Sequence, residues 1–267
     1  MKLSIMNGTK EIGKMDLPSQ FSEPIRPDLV RKAVLVIKSN NRQPYGTDPL
    51  AGKKASAKLS RRRRDYRGGY GAGISRVPRK ILSRRGTRMN WQAAVAPGTV
   101  KGRQAHPPKS SKIWAVKMNT KERRKAIRSA ISATIRRDYV SSNGHRLPEL
   151  YPFIIDSSFE SIDRTKAVLD GLLALGFSAE LERVSEAKIR AGQGKLRGRR
   201  LRRKRGPVIV VSGPCKLEKS AKNIRGFDVI RVDKLNALSL SHDVRPGRLA
   251  LFTDKAVLRL AEEGLFR

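Results

Sequence analysis

Arginine clusters with interleaved aromatic residues are the clearest chemical feature of this sequence. Arg61–Arg64 form an uninterrupted run, Arg84 and Arg85 form a pair, and Tyr66 and Tyr70 lie between them. The planar guanidinium group donates to phosphate oxygens in a fork and stacks on bases, and aromatic rings stack on unpaired bases. This combination predicts a surface that binds nucleic acid. Further flat rings in the same part of the chain are those of Tyr45, Trp91 and Trp114.

The net charge of the chain points to the same kind of partner. The 267 residues include 59 Lys and Arg but only 23 Asp and Glu, which gives +36. Segments 42–115 and 188–205 together carry +27, and the other 175 residues carry only +9. Charge of this density repels itself unless an anion neutralises it. A lone basic run could be a solubilising tail or a localisation signal, but an internal segment with aromatic residues favours binding.

A second motif has the outline of a nucleotide-binding loop. Gly213 and the pair Lys219-Ser220 follow an apolar stretch, as in a phosphate-binding loop between a strand and a helix. However, Glu218 stands where that loop needs a glycine, and Pro214 has no N–H group to donate. A tight turn that begins a helix is the better interpretation. No carboxylate pair or nucleophile–base spacing indicates catalysis, so we expect no enzyme.

Cysteine and histidine are too few for the common metal sites. Cys215 is the only cysteine and the three histidines are scattered, which excludes an intrachain disulfide, a zinc finger and an Fe–S cluster. The sequence has no apolar run of 18 residues and no secretory signal. We therefore expect no metal, no cofactor, no membrane contact and a cytoplasmic location.

The elements that must hold the basic segments are those of an α/β domain. Asn7-Gly8 predicts the turn of a hairpin over 2–17, and Asn119 with Glu122 predicts a capping box at the start of a helix. Alternating strands and helices favour a mostly parallel sheet with flanking helices. Strands are predicted at 153–156, 207–211, 227–232 and 248–252, and helices at 27–40, from 120 onward, 161–175, 217–225 and 254–264. Gly176 is expected to stop the helix at 161–175, and Thr253 to cap the last helix.

Segment 42–115 interrupts this pattern. It is rich in glycine and proline, contains none of the seven phenylalanines, and shows no sustained helical or strand periodicity. Such a sequence cannot bury enough apolar surface to offset its ordering entropy, so we expect it to be disordered when alone in water. Because it leaves and re-enters the same domain, its apex is expected near residues 76–91.

Four stretches of the chain together resemble the archaeal and eukaryotic form of the large-subunit ribosomal protein four family. They are GTDPLAGKKASAKLSRRRRDYRGGYGAGISRVPR (46–79), KGRQAHPPK (101–109), NTKERRKAIRSAISAT (119–134) and KIRAGQGKLRGRR (188–200). The resemblance implies a structural role in the assembly of the large ribosomal subunit and in translation. It also implies an α/β domain on the ribosome surface, formed by 1–41 and 116–267, and a long extended loop, 42–115, that penetrates rRNA and reaches the peptide exit tunnel.

The same resemblance implies the partners and the contact residues. The partners would be large-subunit rRNA, neighbouring large-subunit ribosomal proteins and the nascent peptide near the tunnel constriction, with no homo-oligomer. The candidates for the tip of the loop are Arg76, Arg79, Arg84, Arg85 and Arg88. The candidate rRNA-binding residues are Lys53, Lys54, Lys58, Arg61, Arg62, Arg63, Arg64, Tyr66, Arg67, Tyr70, Arg76, Arg79, Lys80, Arg84, Arg85, Arg88, Trp91, Lys101, Arg103, His106, Lys109, Lys112, Lys188, Arg190, Lys195, Arg197, Arg199, Arg200, Arg202 and Arg203.

Two other functions compete with this one. A chromatin or nucleoid protein would use the same charge to bind duplex DNA, without a preference for ribosomal RNA. An RNA-dependent or nucleotide-dependent enzyme would use the Gly213–Ser220 turn, and its nucleotide binding would be lost on changing Lys219.

Overall fold

The structure, a computed structural model, describes residues 1–66 and 68–267. They divide into two compact units: the α/β unit, Met1–Asn41 with Ala115–Arg267, and the loop unit, Arg42–Trp114. The helices are α1 (Pro27–Asn40), α2 (Thr120–Ile135), α3 (Arg137–Ser142), α4 (Thr165–Ala174), α5 (Ser178–Ser185), α6 (Leu217–Ser220) and α7 (Asp254–Glu262). The strands are β1 (Lys2–Asn7), β2 (Lys10–Asp16), β3 (Arg79–Arg85), β4 (Arg88–Ala93), β5 (Ile154–Ile155), β6 (Ala187–Ile189), β7 (Leu201–Arg203), β8 (Val208–Val211), β9 (Asp228–Arg231), β10 (Ser241–His242), β11 (Arg245–Pro246) and β12 (Ala250–Thr253).

Six strands of the α/β unit form one sheet in the order β2-β1-β5-β12-β8-β9. β1 and β2 are an antiparallel hairpin, and the other neighbouring pairs in this sheet are parallel. The predicted α/β class is confirmed, and the sheet itself is mixed. Parallel neighbours need crossover connections, which the helices between the strands supply.

The apolar core lies on both faces of this sheet. All four residues of β8 are buried. Val208 and Val210 pack in the cluster that includes buried residues of α1, α2 and α7, whereas Ile209 and Val211 pack in the cluster that includes residues of α4 and α6. A strand covered on both faces reads as a continuous apolar run, which is why this stretch was recognisable in the sequence.

Two predicted helix ends are confirmed by their geometry. Gly176 has a φ of +83°, and its N–H donates to the carbonyl of Leu173 at 3.0 Å just after α4. A glycine tolerates this left-handed conformation without the steric cost of a Cβ atom. Thr253 caps α7, where its Oγ1 accepts from the N–H of Ala256 at 3.3 Å.

The predicted capping box of α2 is wrong. Asn119 stands at the N-cap position, but its side chain makes no capping hydrogen bond. The Glu122 carboxylate instead accepts from Lys32 Nζ of α1 at 2.7 Å. A neighbouring helix thus supplies a charged donor that competes with the local backbone N–H groups, and the carboxylate links two helices rather than closing one.

Two other local predictions are off in their bounds. The turn of the first hairpin is Gly8-Thr9, because Asn7 is still paired with Lys10 in the ladder. The predicted helix over 217–225 is only α6, Leu217–Ser220, followed by a 3-10 turn.

A pair of hydrogen bonds joins the two places where the α/β unit meets the loop segment in sequence. The side-chain amide of Asn40 donates to the carbonyl of Val116 at 3.2 Å, and its Oδ1 accepts from the Val116 N–H at 2.8 Å. Both residues belong to the α/β unit. The segment therefore begins and ends at adjacent points.

The loop unit contains an antiparallel hairpin that the sequence analysis did not predict. β3 and β4 pair from Arg79 opposite Ala93 to Arg85 opposite Arg88, and Gly86 lies in the turn with a φ of +59°. Their ladder is irregular between Ile81 and Ser83. This shift breaks the alternation by which a strand is normally recognised.

Candidate nucleic-acid interface

The turn of the β3–β4 hairpin collects positive charge. Arg85 and Arg88 are directly opposite each other in the ladder, next to the turn, and both are exposed. Arg84 donates from Nε to the Gly86 carbonyl at 3.0 Å. Like charges opposite each other destabilise an isolated hairpin, so this turn is suited to an anionic partner.

The run Arg61–Arg64 is the most available group of cations in the loop unit. All four side chains are exposed, and none makes an ion pair or a hydrogen bond within the described residues. Arg64 has a φ of +58°, so the backbone turns sharply at the end of the run. The four guanidinium groups are free to bind phosphate oxygens.

Several aromatic rings of the loop unit have an arginine side chain of the same unit over their face. Each pairing places a guanidinium carbon near the centre of a ring, within the range of a cation–π interaction. Any base that stacks on these rings must therefore share them with, or displace, an arginine. The pairs are Arg76 over Tyr70 at 4.4 Å, Arg84 over Tyr66 at 5.6 Å and Arg79 over Trp91 at 5.7 Å.

Trp114, at one end of the loop unit, contacts residues from both of its ends. Its ring stacks on Tyr45 with centroids 5.9 Å apart and planes 24° apart. The Arg42 guanidinium lies 3.9 Å from the ring centroid, and Lys112 Nζ lies 4.4 Å from it. These two rings, expected from the sequence to be surfaces for bases, contact each other within the protein.

Two glycines let the outgoing and returning backbones approach closely. A Cβ on Gly52, whose φ is +74°, would lie 2.4 Å from the Arg103 backbone nitrogen. A Cβ on Gly46 would lie 2.5 Å from the Ser110 backbone nitrogen. A carbon and a nitrogen atom that are not bonded overlap at such distances, so these positions require glycine if the two backbones are to remain side by side.

One of the predicted contact residues is held within the chain. Lys54 Nζ lies 2.8 Å from an Asp48 carboxylate oxygen. The hydrogen bond from Lys54 keeps the pKa of the Asp48 carboxyl below its usual range. Lys54 is therefore partly neutralised, unlike the run at residues 61–64.

The second basic segment forms a hairpin of the α/β unit. β6 pairs with β7, and Lys188 lies directly opposite Arg202. The connection between the strands is held locally, since Arg190 Nε donates to the Arg199 carbonyl at 3.1 Å. This hairpin was also not predicted, because its strands are only three residues long and half of their residues are charged.

The structure divides the predicted contact residues between the loop unit and the β6–β7 hairpin. Most of those described are exposed. Arg67 lies outside the described residues. The half-buried ones are Arg79, Lys80, Trp91, Arg103 and Arg190.

The turn that resembles a nucleotide-binding loop is occupied by protein. Glu160 accepts from the Ser212 N–H at 2.9 Å, the Ser212 hydroxyl at 2.8 Å and the Thr253 hydroxyl at 2.6 Å. Glu218 pairs with Arg231 through two hydrogen bonds. Carboxylates thus stand where a phosphate would need donors, which argues against nucleotide binding.

A fully buried arginine links backbone segments beside the sheet through hydrogen bonds. The sequence analysis did not recognise it. Arg248 donates to the carbonyls of Gly206 at 2.7 Å, Ser239 at 3.1 Å and Pro207 at 3.1 Å, and pairs with Asp228 at 2.7 Å. Burial lowers the pKa of Arg248 to about 10, so it is still protonated at neutral pH. No sequence pattern distinguishes this arginine from the many that are exposed.

A buried triad anchors the base of the β6–β7 hairpin. His145 Nδ1 lies 2.6 Å from the Glu180 carboxylate, which also accepts from Arg183 at 2.6 Å. Arg183 donates onward to the Arg205 carbonyl at 2.8 Å. Burial lowers the pKa of His145, so we assign it as a neutral ring that donates from Nδ1.

Two kinds of feature are absent from the part of the chain that the structure covers. No described helix is long and apolar enough to cross a membrane. No three His, Cys, Asp or Glu side chains among the described residues are grouped so as to hold a metal ion.

Comparisons with known proteins agree with the basic composition of these surfaces. Residues 15–263 match the family model described as ribosomal protein L4/L1 family. The chain is 46% identical to large ribosomal subunit protein uL4 of Nanoarchaeum equitans, over 96% of each chain. It is 42% identical to uL4 of Methanoregula boonei, over 92% of this chain and 93% of that one. It is 40% identical to uL4 of Archaeoglobus fulgidus, over 98% and 99%.

The chain belongs to the ribosomal protein L4/L1 family. The resemblance seen in the sequence is thereby confirmed.

Proposed function

We propose that this member of the L4/L1 family binds large-subunit rRNA through two basic surfaces, the loop unit and the β6–β7 hairpin. It is a structural and non-enzymatic constituent of the large ribosomal subunit, and it acts in translation as part of the ribosome. The observation that carries the rRNA proposal is the run Arg61–Arg64, four exposed guanidinium groups without protein partners in the described chain.

The loop segment 42–115 is the part that would enter the RNA. Its concentration of charge, its lack of a large apolar core and its adjacent ends at Asn40 and Val116 support an extension that leaves and re-enters one domain. Bound RNA would neutralise cations such as those at Arg85 and Arg88, and the counterions released would favour binding. Residues 1–41 and 116–267 would then form the domain at the subunit surface.

The tip of the extension would reach the peptide exit tunnel. The β3–β4 hairpin overlaps the stretch 76–91 in sequence, where the apex was expected. Its candidates for contact with RNA and nascent peptide are Arg76, Arg79, Arg84, Arg85 and Arg88. Neighbouring large-subunit proteins would contact the surface domain, and each subunit would hold one copy.

Sedimentation of the tagged protein from a gentle lysate tests this function. We expect it to travel with the large subunit after low magnesium separates the subunits, and to resist a moderate salt wash. In a variant with all four residues Arg61–Arg64 replaced by glutamine, we expect a larger fraction of the protein to stay at the top of the gradient. A wild-type protein that stays at the top, or that follows DNA and is released by DNase, would overturn the proposal in favour of a DNA-binding protein.

A further inference from the structure

A basic cavity lies beside the β6–β7 hairpin, entirely within the α/β unit. Its volume is about 660 Å³, within the range of about 300–1,000 Å³ typical of small-molecule sites. Its lining includes six Lys and Arg side chains and two carboxylates. The cations are Arg183, Lys188, Arg202, Arg203, Lys204 and Arg205.

Both carboxylates are already paired. Glu186 lies 2.5 Å from Lys204, and Asp243 pairs with Lys38. Across the described chain, no carboxylate lies within ion-pair distance of Lys188 or Arg202. Glu186 therefore compensates only Lys204 at ion-pair distance, and the lining keeps an excess of positive charge that includes Lys188 and Arg202.

The hairpin register concentrates this excess. Lys188 and Arg202 are directly opposite each other in an antiparallel ladder, so their side chains project from the same face. Like charges in this arrangement are unfavourable unless an anion lies between them. Both residues line the cavity, and a phosphate there would contact the two at once.

The same cavity offers a surface for a base. His242 lines it and is half-buried, beside the half-buried Arg205. The His242 ring meets the ring of buried His145 edge to face, with centroids 5.9 Å apart, which fixes its position. Burial, followed by the nearby charge of Arg205, lowers the pKa of His242, so the ring is neutral at pH 7 and suited to stacking.

We propose that this cavity binds one unpaired RNA nucleotide, with its phosphate between Lys188 and Arg202 and its base against His242. The inference rests on the proposed function, since it names how one basic surface would hold RNA. It adds a preference that general charge attraction does not give: single-stranded RNA with an accessible base should bind better here than the same strand in a duplex, although the duplex carries more negative charge.

Fluorescence anisotropy of the full-length protein with labelled RNA hexamers tests the inference. The probes are a single-stranded hexamer, the same hexamer in a duplex, and a single strand with one abasic position. We expect K188Q/R202Q to weaken single-strand binding about tenfold while duplex binding falls only about threefold. The matched control R199Q/R200Q removes the same charge from residues that do not line the cavity, and should weaken both RNAs equally.

His242→Ala separates a nucleotide from a bare phosphate. We expect it to weaken binding of the intact single strand severalfold and to leave the abasic strand unchanged. Equal losses for K188Q/R202Q and R199Q/R200Q on both RNAs would overturn the cavity, as would an H242A variant that binds like the wild type. Those outcomes leave the proposed function standing, because that function fails only if the protein does not associate with the large subunit.

Discussion

The α/β unit and the loop unit differ in the internal contacts that stabilise each of them. In the α/β unit, both faces of a six-stranded sheet are buried under helices, and even an arginine, Arg248, is fully enclosed. Among the described residues of the loop unit, Ala94 is the only buried hydrophobic residue, and the other contacts include the β3–β4 ladder, cation–π pairs, turns and close glycine backbones. The core is expected to make the first unit stable by itself, whereas the second has little apolar burial to oppose its own charge.

Removing the loop segment is the strongest test of this difference. Because Asn40 and Val116 are hydrogen-bonded, a short Gly-Ser linker can replace residues 43–113. We expect the melting temperature of the α/β unit to change little and rRNA affinity to fall on the order of 10³-fold at about 0.2 M salt, because many phosphate contacts are lost. Circular dichroism and filter binding measure the two effects. An unfolded deletion variant would show that the units are not independent.

Arg248→Met attacks the α/β unit instead. It removes a donor from the buried carbonyls of Gly206, Ser239 and Pro207, of which only Pro207 keeps another donor, the Asp228 N–H at 3.2 Å. We expect a loss of about 3–5 kcal/mol in the free energy of unfolding, measured by urea denaturation. The control Arg225→Met removes an exposed arginine with a single long hydrogen bond to Ser185 and should change stability by less than about 0.5 kcal/mol. Equal effects would mean that the enclosed arginine is not structural.

Gly52→Ala tests whether the loop unit is ordered by close backbone approach. Its Cβ would meet the Arg103 backbone, so we expect the two backbones to separate and proteolysis within 42–114 to speed up roughly tenfold. Gly71→Ala is the matched control, because Gly71 also has a positive φ, +77°, but nothing lies within 4 Å of its Cβ position. Both variants bear the cost of a left-handed alanine, so only a larger effect at Gly52 supports the close approach.

The smallest effect is expected at the ion pair between α1 and α2. Glu122→Gln removes the partner of Lys32, which is more than half exposed at 56%. We expect a loss of no more than about 1 kcal/mol in unfolding free energy, and a smaller one in 1 M salt. A larger loss that persists in high salt would show that the pair is not a screened surface contact and that exposed charges also stabilise the α/β unit.

The sequence predicted best where burial imposes a pattern. The apolar run at Val208–Val211 and the stop at Gly176 both appear in the structure as expected. The predicted capping box at the start of α2 was wrong, because Glu122 pairs with Lys32, which is distant in sequence, instead of with the local backbone. The sequence analysis also missed the β3–β4 hairpin, whose ladder is irregular between Ile81 and Ser83, and the β6–β7 hairpin, whose strands are three residues long. Neither hairpin shows the sustained alternation that marks a half-buried strand.

The candidate site was predictable in composition but not in arrangement. Arg61–Arg64 are consecutive in the sequence, and their positive charge can be recognised without knowledge of the fold. The pairing of Lys188 with Arg202, and the position of His242 beside them, depend on contacts between residues far apart in the chain.

Composition and motif alone therefore determined the α/β class, the polyanionic partner and the family, because net charge and apolar periodicity are properties of the chain itself. Only the tertiary structure decided which cationic side chains bond to other groups of the protein and which are available to a partner. Arg248 and the arginines of Arg61–Arg64 are the same residue type, yet one is enclosed among carbonyls and the others face solvent. Burial and the identity of spatial neighbours set that difference, and neither is encoded in local sequence.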